Sequence, residues 1–168
     1  MMTLTHRKLR EVDNDVRARL RYIGLSSVVK RTTVVFMTEP RFHRAECVCD
    51  PDPVIAVSRY FPIQQAILSL VPGVSAGKTL TEILLHEYGH ASVAVMGWSR
   101  RQAREFGKPP YVSAYACTDW EEDLCESMMC YLSGIAVPER KADNLKALFG
   151  EPRHRRVVRT RIPRGRKL

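Results

Sequence analysis

The chain has 168 residues, 45% of them apolar, which is enough to bury one core and too little for several domains. Its formal charge of +9 gathers at the C-terminal end: residues 151–168 hold eight Arg and Lys against Glu151 alone, a tail of +7 that leaves +2 for residues 1–150. No apolar run approaches the ~18 residues of a membrane span, no leader segment is evident, and the five cysteines are odd in number with no C-x-x-C pair. Membrane spanning, export and a disulfide or thiolate-zinc framework are therefore not expected, and a cytoplasmic protein with reduced thiols is.

In chain order, Leu9, Val12, Val16, Leu20 and Ile23 recur at steps of three and four, which predicts a helix over 6–23 ended by Gly24. Residues 32–37 (TTVVFM), 45–50 (AECVCD) and 53–58 (PVIAVS) are short β-branched or alternating runs divided by Pro and charged residues, the pattern of a small sheet. The apolar run 63–70 predicts a short helix broken by Pro72 and Gly73. Thr79 with Glu82 three residues on is a capping box, so a helix should start there, with Leu80, Ile83, Leu84, Ala91 and Val95 as its apolar stripe and Gly97 as its stop. A polar, Gly/Pro-punctuated loop follows over 98–110. Further helices are expected from Thr118 or Asp119 to Ser133, ended by Gly134, and over 139–149 before Gly150. The class is α+β, with one domain over 1–150 and a basic, flexible tail over 151–168.

Two readings compete within GVSAGKTLTEILLHEYGH, residues 73–90. A phosphate-binding loop needs four residues between its glycines so that successive N–H groups wrap the phosphates, and Gly73 and Gly77 enclose only Val74, Ser75 and Ala76. The second half is HExxH in a helix: His86 and His90 are four apart, hence neighbours on one face and able to reach one ion, with Glu87 beside them. A zinc site built on two histidines needs one more carboxylate and an open position for water. Glu122 and Glu126, four apart in the following helix, are the candidates, one as ligand and the other to hold a ligand imidazole through its free N–H; Glu121 is an alternative. Acidic residues in a first helical turn also suit the helix dipole with no metal at all.

His86–His90 followed by Tyr115, Glu122 and Glu126 resembles the HExxH zinc metallopeptidases with a glutamate third ligand, in particular the catalytic domain of anthrax lethal factor and related bacterial zincins. The resemblance covers residues 79–133. It implies a zincin-like fold, Zn2+ bound by His86, His90 and Glu122, Glu87 as general base, Tyr115 as oxyanion donor, Glu126 behind the ligands and a peptide or protein substrate. The edge strand that lines such a cleft would be run 45–50 or 53–58. Tyr111 competes with Tyr115 for its role, and the metzincin pattern does not fit, because Val93 and Met96 stand where its glycine and third histidine would be. The alternative is a non-catalytic binding module that zinc merely stabilises, its tail contacting nucleic acid or an acidic partner.

Overall fold

The computed structural model describes residues 3–37, 44–69 and 78–149. The basic tail, Gly150, the loop from Gly73 to Gly77 and the expected breakers Pro72 and Gly73 lie outside the described residues. The described chain is α+β and runs α1 (His6–Tyr22), α2 (Ser26–Arg31), β1 (Thr33–Phe36), β2 (Ala45–Cys49), β3 (Pro53–Val57), α3 (Phe61–Ser69), α4 (Leu80–Met96), a single 3-10 turn (Tyr115–Cys117), α5 (Trp120–Leu132) and α6 (Glu139–Phe149). No helix among the described residues is long and apolar enough to cross a membrane.

Helix α1 begins where Thr5 accepts the Lys8 N–H at 3.2 Å, and it buries Leu9, Val16 and Leu20, the stripe expected of it. Gly24 follows at φ +94°, a left-handed position that favours glycine. Helix α2 was not foreseen. Six residues containing two valines have little helix tendency of their own, and the helix is held from outside: the Arg17 guanidinium donates to the carbonyls of Val29 (2.8 Å) and Thr32 (2.9 Å), acceptors left over at its C-terminal end. Helix α3 starts two residues before the expected position, with Pro62 near its start, where a missing N–H costs nothing.

The three strands form one sheet in the order β1-β3-β2, β1 parallel and β2 antiparallel to β3. Central β3 turns Ile55 and Val57, both fully buried, toward the helices. Of the two runs expected to supply an edge strand, β3 is paired on both sides and only β2 forms an edge.

Helix α4 is the axis of the molecule. Its capping box is formed in both directions, Thr79 N–H to Glu82 Oε2 at 2.6 Å and Glu82 N–H to Thr79 Oγ1 at 3.2 Å, and Gly97 closes it at φ +64°. Burial extends well beyond the expected stripe to Leu85, His86, Glu87, Tyr88 and Gly89, because α1, α2, α5, β2 and β3 all pack around it. Tyr88 donates to Asp13 at 2.7 Å, and Asp13 is paired with Arg17 at 2.7 Å, which pins α4 to α1.

The expected loop after α4 is irregular but not loose. Trp98, Ala103 and Phe106 enter the core, and the Gly107 N–H donates at 2.8 Å to Asp123 on α5. Asp123 is in turn held at 2.6 Å by Lys141 of α6, with both side chains almost wholly buried. This tie fixes the segment that delivers Ser113 and Tyr115 to the end of α5.

Candidate metal centre

His86 and His90 project from one face of α4 with ring centroids 5.1 Å apart. Helix α5 crosses that face. Its start is set by Asp119, whose carboxylate accepts the N–H groups of Glu121 (2.7 Å) and Glu122 (3.0 Å), so that Glu122 and Glu126 come round on the turns facing α4. The crossing is close because position 89 is glycine: a Cβ there would stand 2.7 Å from Cys125 Sγ and 2.9 Å from Cys125 Cα. Nothing in the HExxH spacing announces this requirement, since the motif leaves that position open.

The two Nε2 atoms converge on one carboxylate. His86 Nε2 lies 3.1 Å from Glu122 Oε2, and His90 Nε2 lies 3.6 Å from Glu122 Oε1. One ligand atom from each of His86, His90 and Glu122 falls within 4.8 Å of the others. Donors about 2.0–2.2 Å from a tetrahedral zinc ion stand roughly 3.3–3.5 Å apart; the two imidazoles approach that spacing to opposite oxygens of Glu122, and the set with one atom from each residue closes to within 4.8 Å. The Nδ1 atoms face outward to further carboxylates, His86 to Glu126 at 2.8 Å and His90 to Glu121 at 2.9 Å. The first contact has ion-pair distance but not hydrogen-bond direction, and His86 Nδ1 and Glu122 Oε2 are buried atoms without a directed partner among the described residues.

Around this core, Glu126 is fully buried and receives Lys78, with which it pairs closely, and the Ser113 hydroxyl at 2.8 Å. Burial alone would push the Glu126 carboxyl up, but His86 and Lys78 hold it at about 2. Glu122 is likewise raised by burial and, more strongly, held below the usual carboxylate range by the two imidazoles. Those imidazoles respond in kind. Burial disfavours their protonation, yet Glu122 and Glu126 raise His86, and Cys125, Glu121 and Glu122 raise His90. Glu121, Glu122 and Glu126 meet their counter-charge in Lys78, the neighbouring Arg44 and the two imidazoles, which these carboxylates push toward the protonated form; a divalent cation would take the place of the two imidazole protons.

Glu87 is buried beside this cluster, and burial raises its carboxyl pKa. The Tyr115 phenol donates to Glu122 Oε1 at 3.1 Å, its ring 5.9 Å from that of His86, and burial with the Glu122 charge pushes its pKa up to about 12. Tyr111 is elsewhere, its ring 4.7 Å from the Lys141 ammonium, so the tyrosine at the cluster is Tyr115. The structure thus brings together His86, His90, Glu87, Tyr115, Glu122 and Glu126. Sequence reasoning missed Ser113 and Lys78, and it placed Glu121 as a rival ligand where the structure sets it against the outer nitrogen of His90. A basic or hydroxyl side chain carries no spacing signal until the loop that bears it is folded. Compared with protein-family models, with curated proteins and with solved structures, the chain matches none.

Proposed function

We propose that the protein is a zinc-dependent metalloendopeptidase of the zincin type with a glutamate third ligand. The observation that carries the proposal is the convergence of His86 Nε2, His90 Nε2 and the Glu122 carboxylate from two helices, with both outer imidazole nitrogens turned to carboxylates. For His90 the hydrogen bond from Nδ1 to Glu121 is the kind that fixes an imidazole tautomer with the Nε2 lone pair turned inward, and for His86 the Glu126 carboxylate stands at 2.8 Å on the corresponding side. The two inward Nε2 atoms with the Glu122 carboxylate between them fit a divalent cation that would take the place of the imidazole protons.

His86, His90 and Glu122 would hold the ion, which when bound polarises a carbonyl and lowers the pKa of water to about 7. Glu87 lies next in sequence to His86 and about 100° round the helix, close enough to His86, His90 and Glu122 for their charges to act on its carboxyl. Its raised pKa suits a base that takes a proton from the attacking water near neutrality and returns it to the leaving amine. Tyr115 stays protonated well above neutral pH and is 52% exposed, so its phenol is a donor free to turn from Glu122 to a developing oxyanion; such a donor is typically worth about 2.7–4 kcal/mol. Among the described residues β2 is an edge strand packed on α4, a position that suits pairing with an extended peptide backbone. The five free thiols support a cytoplasmic setting, and the +7 of the tail supports an added contact with nucleic acid or an acidic partner.

The decisive comparison is wild type against Glu87→Gln. Both should carry one zinc by metal analysis and melt alike, while only the wild type cleaves a peptide library. Zinc in both with cleavage by neither would favour the zinc-stabilised binding module. Less than about a tenth of an equivalent in wild type would end the zinc reading.

A further inference from the structure

The odd cysteine count and the lack of C-x-x-C gave no reason to expect a thiolate site, yet Cys47 and Cys49 stand with their sulfurs 3.4 Å apart on β2. Both are on the helix-facing side of the sheet. Cys47 is directly opposite the buried Ile55 and Cys49 opposite Pro53, and residues directly opposed across an antiparallel pair share a face. Cys47 packs against the core while Cys49 is exposed, so the pair spans from the interior to solvent at an edge strand that lies on α4. Cys47 is close enough to Glu87 and His90 for both charges to act on it.

Two chemistries could use such a pair, and the extended strand favours one of them. A disulfide needs sulfurs about 2.04 Å apart and Cα atoms no more than about 6.8 Å apart. Positions i and i+2 of a strand are separated by about 6.6–6.8 Å, the limit of that range, so bridging would require the strand to pucker. Two thiolates on a tetrahedral ion with zinc–sulfur bonds of about 2.3 Å stand about 3.8 Å apart. At the observed 3.4 Å the two thiols are in hydrogen-bond contact, and reaching the chelate spacing asks the sulfurs to part by only a few tenths of an ångström with the strand left extended.

We propose that Cys47 and Cys49 form a second metal site, a dithiolate clamp for a thiophilic divalent cation of the zinc and cadmium type, on the strand β2 that packs against α4. Binding exchanges the two thiol protons for one ion and leaves the ion's outer positions to water, so the clamp holds metal exchangeably. Burial and the neighbouring Cys49 and Glu87 keep the Cys47 thiol protonated when no cation is there, and the cation reverses that preference. Soft sulfur donors set this site apart from the imidazole and carboxylate donors of the other centre. The clamp does not depend on the peptidase reading.

The test is a titration of the reduced, metal-free full chain with cadmium alone, following the ultraviolet charge-transfer band of cadmium thiolate and the number of ions bound. Wild type should show the band and bind one ion more than Cys49→Ser, which should lose the band entirely, as should Cys47→Ser. Cys49 is exposed, so its serine variant folds even if the one at Cys47 does not. Cys117→Ser, which removes another exposed thiol, should keep the band. The His86→Ala/His90→Ala double variant should keep the band while losing the other ion, which separates this site from the histidine centre. A band of wild-type strength in Cys49→Ser, or no band in wild type, overturns the proposal.

Discussion

At the scale of single residues, the three glutamates of the first two turns of α5 have distinct positions and should have distinct effects. Glu122 is the one that both Nε2 atoms face, so Glu122→Gln removes a charged ligand oxygen and is expected to lose zinc outright. Glu121 and Glu126 stand behind the imidazoles, so Glu121→Gln and Glu126→Gln should keep the metal and weaken it by about 10- to 100-fold. Competition of each variant with a chelator of known affinity reads the difference. Retention of zinc by Glu122→Gln and its loss from Glu126→Gln would exchange their roles. The sequence alone made Glu122, Glu126 and Glu121 rivals, because three glutamates so close together differ only by where a helix turn points them. That depends on the crossing of α5 over α4, which no local pattern encodes.

At the scale of elements, that crossing hangs on Gly89. Because the Cβ of Gly89→Ala would meet the backbone of Cys125 at 2.9 Å, α5 must shift, and overpacking of this kind costs about 1–3 kcal/mol. Glu122 rides on the same helix less than one turn away, so the variant should lower both the melting temperature and the zinc affinity; an unchanged pair of values would show that the helices have room. The elements themselves were largely legible. Helices α1, α4, α5 and α6 and the three strands fall within a residue or two of their expected bounds, because capping residues, stop glycines and apolar periodicity are local and were all present. Helix α2 was not legible, since the Arg17 that supports it belongs to another helix. The order of the strands was open as well: which run is an edge is decided by pairing across sequence, and of the two candidates it leaves β2.

At the scale of the whole molecule, the segment between α4 and α5 carries Ser113 and Tyr115 to the centre with almost no regular structure, and besides its core residues it is held by the chain of contacts from Gly107 through Asp123 to Lys141. Removing one partner of a buried pair leaves the other charge uncompensated, so Lys141→Met should destabilise the fold by about 3–5 kcal/mol in denaturant titration, far more than the loss of one surface contact would. A change within about 0.5 kcal/mol, the range typical of surface substitutions, would mean that Asp123 is compensated from elsewhere. The Gly107 amide gives this tie a clock. Amides in irregular segments usually trade their protons for solvent deuterons through small local openings, but this one cannot be released without unseating a carboxylate that α6 also holds. Its exchange should therefore run at the pace of global unfolding in the wild type and quicken to that of a loop in Lys141→Met, so that one backbone proton in an unstructured stretch reports whether the phenol of Tyr115 is still being delivered.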